Sequence, residues 1–265
     1  MPTALTIAGS DSGAGAGIQA DLKTFAAQEV YGGSVITALT AQNTRGVLAI
    51  HRVPPAFVTQ QIDAVASDIA VDAVKTGMLG TAAIVTAVAG ALDRWSLSPI
   101  VVDPVMVAKS GDRLIANDAV DVVRERLLPL ATVITPNRLE AEVLLDAQVK
   151  TREDAAEAAR ALVARGARAA VVKGGHFDDD PEVVDLLFDG HAFHEFRHPR
   201  QDTRHTHGTG CTFASAIAAC LARGAELPAA VQEAADYVAG AIAHGIAIGH
   251  GHGPLDHFWA LRGGK

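Results

Sequence analysis

Short apolar runs alternate with amphipathic stretches along most of this chain. Runs rich in Val, Ile, Leu and Ala predict buried strands, and apolar residues at helical spacing between them predict helices. Such alternation is typical of a parallel sheet with helices on both faces. The predicted strands are 4–8, 34–39, 72–75, 100–106, 131–135 and 169–173. The main predicted helices are 18–29, 55–69, 81–93, 117–127, 151–165, 213–221 and 227–248, with a further helix opening at Asn137.

Residues 183–188 and 192–196 predict a β-hairpin that turns at Asp189-Gly190. No linker, repeat or low-complexity block interrupts the pattern, so we expect one domain over residues 1–265 with a three-layer α/β fold. The chain enters its first strand almost at once, which predicts no signal peptide. No apolar run is long enough to predict a membrane span.

Composition narrows the function classes. Hydrophobic residues make up 49% of the 265 positions, which argues against disorder. The net charge of −8 and an aromatic content of 5% argue against nucleic-acid binding. Cys211 lies at the start of the predicted helix that contains Cys220, so the two are roughly 13 Å apart at helical rise and cannot form a disulfide with each other. A cytoplasmic location is therefore expected.

The stretch from Thr206 to Thr212, Thr-His-Gly-Thr-Gly-Cys-Thr, precedes an apolar helical run and is the strongest candidate site. A helix that begins there presents unpaired N–H donors and a partial positive charge, which together favour phosphate. Cys211 at such an N-terminus is expected to have a lowered thiol pKa. The alternative is a glycine-rich turn with a small buried cysteine.

Polar residues also follow several predicted strands, where open parallel sheets bind ligands. Asp103 and Glu140 are oxygen donors suited to Mg²⁺, although Glu140 also fits a helix cap with Asn137. Lys173 suits a phosphate, or is simply solvated. Gln42 suits an aminopyrimidine or amide edge, or belongs to an ordinary polar turn.

Two other patterns carry less weight. The loop after the first strand, residues 9–17, resembles a dinucleotide-binding loop, but its spacing is poor and the acidic residue expected after the second strand is missing. His250, His252 and His257 lie in a glycine-rich tail, which we expect to be flexible and solvated and not a metal site. No Walker A loop is present in the sequence.

Taken together, the motifs closely resemble those of the hydroxymethylpyrimidine/phosphomethylpyrimidine kinases of thiamine synthesis, in the ribokinase superfamily. The resemblance covers almost the whole chain, in order. It is carried by residues 4–11, 17–24, 37–44, 75–79, 108–112, 134–137, 173–176 and 206–212.

This resemblance implies a ribokinase-like fold and an ATP-dependent, Mg²⁺-assisted kinase of a small pyrimidine alcohol and then of its monophosphate. Cys211 would be the base, and Gly208 and Gly210 would shape the anion hole. By the same carry-over, Gly9, Asp21, Gln42, Met78 and Val105 would line the pyrimidine pocket, Lys173, Asn137, Thr206 and Thr209 would meet ATP, and Asp103 and Glu140 would hold the metal.

The sequence leaves the choice of function and several structural points open. A pyridoxal-type vitamin kinase of the same superfamily and a non-catalytic ligand-binding domain are the alternative functions. The first loop reads Asp-Ser-Gly-Ala-Gly from Asp11, where the family usually has Asp-Pro-Ser-Gly-Gly, so closure over the substrate is expected to differ. Residues 109–112 are predicted to form a flap, and Ala-rich helical surfaces favour a homodimer.

Overall fold

The computed structural model describes residues 1–106, 115–176 and 182–262. Within them a nine-stranded sheet has the order β3-β2-β1-β4-β5-β6-β7-β8-β9. The central strands are parallel, β3 pairs antiparallel with β2, and β8 and β9 form an antiparallel hairpin next to β7. The strands are β1 (Thr3–Asp11), β2 (Tyr31–Asn43), β3 (Gly46–Arg52), β4 (Ala73–Thr76), β5 (Ile100–Val102), β6 (Val133–Ile134), β7 (Ala170–Val172), β8 (Glu182–Phe188) and β9 (Phe193–Pro199).

Helices cover both faces of this sheet. One apolar core lies under α1, α7 and α8, and the other lies under α2 to α6. The helices are α1 (Gly17–Ala27), α2 (Pro55–Ala66), α3 (Ala82–Arg94), α4 (Asn117–Val122), α5 (Arg138–Leu145), α6 (Arg152–Ala164), α7 (Thr209–Ala222), α8 (Leu227–Ala243) and α9 (Trp259–Arg262). A π-helical turn, Val123–Leu127, continues α4.

Most side chains of the central strands are apolar because both faces of these strands are covered. Val101 packs into the core under α7, whereas its neighbours Ile100 and Val102 pack into the opposite core. Successive side chains of a strand point to opposite faces, so a continuous apolar run fills two cores at once. The predicted three-layer α/β fold is confirmed, and the single continuous sheet supports our proposal of one domain.

Several local predictions were only partly right. The hairpin turning at Asp189-Gly190 is confirmed. The predicted strand 100–106 ends early, at Val102, and the last long helix ends at Ala243. β3 was missed, because most of its side chains are exposed or half-buried and its sequence carries no clear apolar alternation.

None of the helices in the described ranges is both long and apolar enough to cross a membrane.

The glycine-rich tail is anchored, contrary to prediction. The N–H of Gly251 donates to Thr44 Oγ1 at 3.1 Å, and the N–H of His252 donates to the Thr44 carbonyl at 2.9 Å. His257 is buried and lies 3.1 Å from Thr212 Oγ1 in α7. Burial lowers the pKa of His257 to about 4, which keeps the ring neutral inside the protein.

Candidate active site

A cavity of about 580 Å³ opens at the carboxyl ends of the central strands, where parallel sheets bind ligands. It brings together nearly all of the side chains that the sequence singled out, from both halves of the chain. Those that line it are Gly9, Gln42, Met78, Asp103, Val105, Asn137, Glu140, Lys173, Thr206, Gly208, Thr209, Gly210 and Cys211. The flap predicted at 109–112 lies outside the described residues.

Met78 and Gln42 form the wall nearest to β1 and β2. The Met78 carbonyl accepts a hydrogen bond from Thr37 Oγ1 at 2.6 Å, which fixes the backbone of this wall. Gly9 lies directly behind the Met78 side chain, since a Cβ at Gly9 would come within 2.3 Å of Met78 Cε. The Gln42 backbone N–H donates to Ser12 Oγ at 2.8 Å, which ties β2 to the first glycine loop.

Asp21 does not line the cavity, contrary to prediction. Its side chain is completely buried in α1, where it accepts hydrogen bonds from Thr6 Oγ1 at 2.6 Å and Ser215 Oγ at 2.7 Å. Lys75 Nζ lies 2.9 Å and 3.0 Å from its two carboxylate oxygens. Sequence could not show this burial, because it depends on a lysine 54 positions away.

Lys75, on β4, is also fully buried. Burial lowers its pKa, but the neighbouring carboxylate of Asp21, with smaller contributions from Cys211 and Asp103, more than offsets that effect, and the pKa of Lys75 is raised overall. The ammonium therefore stays charged. This buried ammonium, paired with Asp21, is close enough to Cys211 to lower the pKa of that thiol.

The first turn of α7 forms the candidate anion hole. Gly208 precedes the helix with φ of 87°, and a Cβ there would approach the Gly15 carbonyl oxygen to 1.9 Å, so only glycine fits. Thr209 Oγ1 donates to the Thr206 carbonyl at 2.8 Å. The first N–H groups of a helix have no intrahelical acceptor, so this turn presents donors to the cavity.

Cys211 lies on that first turn and faces the cavity, as predicted, but its pKa moves in the opposite direction from our expectation. Burial raises the pKa of the thiol to about 12; Asp21 and Asp103 add to the rise, while Lys75 and the N–H of Gly17 oppose it. Removal from water outweighs the helix-terminus effect here. In the ligand-free protein the sulfur is therefore a protonated thiol.

Lys173, Asp103 and Glu140 form a charged cluster beside the anion hole. Lys173 Nζ lies 3.4 Å from Asp103 Oδ1 and 3.8 Å from Glu140 Oε2. Asp103 Oδ2 is buried and has no hydrogen-bond partner among the described residues. A Cβ on Gly210 would lie 3.3 Å from Lys173 Nζ, so this glycine keeps open the space between helix and lysine.

Glu140 has two roles in this structure. It completes the predicted capping box of α5, because its Oε2 accepts the Asn137 N–H at 2.8 Å while its own N–H donates to Asn137 Oδ1 at 3.0 Å. Burial raises the pKa of Glu140 to about 7, with Asp103 adding to the rise and Lys173 opposing it. A cation bound nearby would lower this pKa and favour the ionised carboxylate.

A second cavity of about 330 Å³ adjoins the first, between β8–β9 and the helices α7 and α8. Phe213, Val238 and Ile242 provide apolar lining, and Asp185 and Arg200 provide polar lining. The two cavities share one wall. Its residues line both cavities and are Asn137, Lys173, Thr206, Thr209 and Gly210. The two cavities thus meet at the anion hole and the lysine.

Asp11 and His207 are site residues whose roles the sequence analysis did not assign. His207 Nε2 lies 2.9 Å from Asp11 Oδ2, across 196 positions of the chain, and both side chains line the larger cavity. The strand-end position of Asp11 was the available signal, whereas the pairing is purely tertiary. Among the described residues no group of three or more His, Cys, Asp or Glu side chains is arranged to hold a metal ion.

Known kinases are similar to this chain over almost its whole length. Residues 11–256 match the family model described as phosphomethylpyrimidine kinase. The hydroxymethylpyrimidine/phosphomethylpyrimidine kinase of Bacillus subtilis is 49% identical over 255 residues, which cover 96% of this chain and 94% of that protein. The thiamine biosynthesis bifunctional protein ThiED of Geobacter sulfurreducens is 55% identical over 256 residues, which are 97% of this chain. The chain spans about half of that bifunctional relative, 52% of its length.

Among solved structures, an ADP complex of Bacillus subtilis pyridoxal kinase is similar over 99% of both chains, with a TM-score of 0.92 and 39% identity. The chain therefore shares the fold of that pyridoxal kinase, whose structure was solved with ADP. The match over 11–256, together with relatives near 50% identity over nearly the full chain, places the protein in a family: the chain belongs to the phosphomethylpyrimidine kinases.

Proposed function

We propose that this protein is an ATP-dependent kinase that phosphorylates 4-amino-5-hydroxymethyl-2-methylpyrimidine and then converts the monophosphate to the diphosphate. The observation that carries the proposal is the shared wall of the two cavities. Lys173 and the first turn of α7 stand between a cavity that contains Gln42, Met78 and Cys211 and a second cavity with apolar lining. Family membership independently supports the same reaction class.

The acceptor alcohol would occupy the larger cavity and the nucleotide the smaller one. Phosphoryl transfer requires the attacking and leaving oxygens to lie roughly in line on either side of the phosphorus. Residues common to both cavities are suited to the group that crosses between them. The ammonium of Lys173 and the N–H groups at Gly210 and Cys211 would stabilise its negative charge.

Cys211 would remove the proton of the substrate hydroxyl. Its high pKa makes the thiolate a strong proton acceptor but leaves that form scarce at neutral pH. The thiol must therefore lose its proton before the transfer, and Lys75 is the buried cation that favours the thiolate. Activity limited by this step is expected to rise with pH through the neutral range.

Asp103 and Glu140 fit a magnesium ion, since one buried oxygen of Asp103 has no partner among the described residues and both groups are hard oxygen donors. These two carboxylates would hold the ion beside Lys173. A bound Mg²⁺ would supply charge neutralisation for the transferring phosphate.

A coupled ATP-consumption assay tests the function directly, first on the hydroxymethylpyrimidine and then on its monophosphate. We expect turnover on both, and turnover on neither would refute the proposal. Cys211→Ala should lower kcat by about 10²-fold or more, as for loss of a general base. Cys220→Ala is the matched control, because Cys220 is fully buried in the core under α8. Full activity of Cys211→Ala would exclude the thiol as the base and would favour a binding role for this residue.

Pyridoxal phosphorylation is the second candidate, favoured by the similarity to pyridoxal kinase structures. Comparing kcat/KM on pyridoxal and on the hydroxymethylpyrimidine separates the two. A large preference for pyridoxal would reverse our assignment.

A homodimer in the cytoplasm remains part of the proposal. Exposed apolar side chains at the β2–β3 edge of the sheet support an interface there: Leu39 is 47% exposed and Leu48 is 77% exposed. The two free cysteines support a reducing compartment. Light scattering of the purified protein measures the oligomeric state, and a monomer at micromolar concentration would exclude the dimer.

A further inference from the structure

His207 connects three segments that line the larger cavity. Its Nε2 lies 2.9 Å from Asp11 Oδ2 and 3.3 Å from Gln42 Nε2. Its backbone N–H donates to the Gly253 carbonyl at 3.1 Å, and its ring packs on Gly15, where a Cβ would come within 2.3 Å of Cδ2. The imidazole is therefore held in place from several sides.

The surroundings of Asp11 decide which ring nitrogen carries a hydrogen. Its Oδ1 accepts the Gly13 N–H at 2.8 Å, and its Oδ2 accepts the N–H groups of Gly15 at 3.1 Å and Ala16 at 2.9 Å. A carboxylate in this setting only accepts hydrogen bonds. A bare Nε2 at 2.9 Å from Oδ2 would bring two lone pairs together, so His207 must carry its hydrogen on Nε2 and donate it to Asp11.

That hydrogen is shared, with its shorter contact to Asp11 and a longer one to the Gln42 amide, and it therefore orients the amide. An NH₂ group facing the Nε2–H of His207 would oppose two donors, whereas a carbonyl oxygen there accepts. The structure has Gln42 Nε2 on the His207 side and Oε1 on the Thr40 side. A half-turn of the amide exchanges its oxygen and nitrogen without changing its shape. With the oxygen toward His207, the NH₂ group faces Thr40 Oγ1, 3.2 Å from that end of the amide, and the Thr40 hydroxyl donates to the Ser10 carbonyl at 2.9 Å. Each donor then meets an acceptor.

We propose that His207 is a specificity-determining positioning residue, which holds the Gln42 amide with its oxygen on the His207 side and its NH₂ group on the Thr40 side. The inference rests on the proposed function. The substrate hydroxymethyl group must face Cys211, so a bound ring has a fixed orientation and meets the amide with one particular edge. An edge with an amino donor next to a ring-nitrogen acceptor gives the amide oxygen a second donor and the NH₂ group a second acceptor. An edge without the amino group leaves one lone pair of that oxygen unpaired.

The experiment measures kcat/KM for the hydroxymethylpyrimidine and for its analogue with hydrogen in place of the 4-amino group. We expect the wild type to disfavour the analogue by about 30-fold or more, since a site built to hydrogen-bond a group rejects ligands that lack it. His207→Phe should raise KM for the normal substrate by about tenfold and reduce the discrimination to about threefold or less, because the amide is then free to turn. His207→Gln should restore part of the discrimination, since its NH₂ group can donate to Asp11. His250→Phe, at an exposed position, should match the wild type.

Wild-type discrimination in His207→Phe would overturn the inference while leaving the kinase function intact. Failure of the wild type to phosphorylate the normal substrate would instead refute the proposed function. The ¹⁵N shifts of the His207 ring in the wild-type protein, assigned with His207→Gln, provide a readout that does not depend on the folding of the Phe variant. A hydrogen on Nε2 supports the inference, and a bare Nε2 overturns it.

Discussion

Replacing Lys75 with methionine is expected to destabilise the protein by about 3–5 kcal/mol, because it leaves the Asp21 carboxylate charged, buried and without its cation. Both side chains are fully buried, and Nζ lies 2.9 Å from one carboxylate oxygen and 3.0 Å from the other. The hydroxyls of Thr6 and Ser215 would still donate to Asp21, so hydrogen bonding is reduced but not abolished. For a chain of 265 residues this loss corresponds to a fall in Tm of roughly 6–10 °C.

A double variant separates the effect of the unpaired Asp21 charge from the effect of the changed side-chain shape at Lys75. Lys75→Met combined with Asp21→Asn removes both charges and keeps most of the volume, so it should lie within about 2 kcal/mol of the wild type. Arg94→Met provides the surface control, since the Arg94–Asp63 pair is about half exposed and should contribute less than about 1 kcal/mol.

Urea unfolding followed by circular dichroism gives the four free energies of unfolding. The reasoning is refuted if Lys75→Met costs no more than Arg94→Met, or if the double variant is as unstable as Lys75→Met. A second readout concerns the thiol. Since the Lys75 charge lowers the pKa of Cys211 and the Asp21 charge raises it, alkylation of Cys211 at pH 8.5 should be slower in Lys75→Met and faster in Asp21→Asn. A merely structural role would change both rates in the same direction.

Three further outcomes are expected. Alkylation of Cys211 in the ligand-free protein should accelerate about tenfold per pH unit between about pH 7 and 9, and a plateau in that range would contradict a pKa of about 12. Gly210→Ala, whose methyl group would lie 3.3 Å from a lysine ammonium, should lower kcat about tenfold or more, whereas Gly90→Ala, with nothing within 4 Å, should not; equal rates in steady-state assays would refute this. His257 is neutral in the fold with a pKa near 4, so the unfolded chain binds its proton first as pH falls, and up to ~3 kcal/mol of stability should be lost between about pH 6.5 and 4. His257→Asn should flatten that part of the pH–stability curve, and an unchanged slope in denaturant titrations would contradict the burial argument.

The three layers of the fold could be predicted from the sequence because the central strands carry mainly apolar side chains on both faces. The capping box of Asn137 and Glu140 was also visible, since both partners lie within one helical turn. β3 was not, because an exposed edge strand such as Gly46–Arg52 needs few apolar side chains. Local patterns therefore predicted the buried elements better than the edge of the sheet.

Within the candidate site, positions were predictable but electrostatics were not. Gln42, Asp103 and Lys173 follow predicted strands, and parallel sheets bind ligands at the carboxyl ends of their strands. The structure places all three around one cavity, as this predicts. The predicted shift of the Cys211 thiol pKa had the wrong direction. The prediction considered only the helix N-terminus and left out desolvation and the charges of residues distant in sequence. The burial of Asp21 was missed for the same reason, since its partner comes from another part of the chain.

The wall that the two cavities share has a stereochemical consequence. If the nucleotide and the alcohol occupy the two cavities as proposed, they lie on opposite sides of Gly210 and Lys173. The phosphoryl group then moves only once, directly from nucleotide to alcohol. One in-line displacement inverts the configuration at phosphorus, whereas two successive displacements restore it. ATP made chiral at its γ-phosphorus with oxygen isotopes should therefore yield a product of inverted configuration.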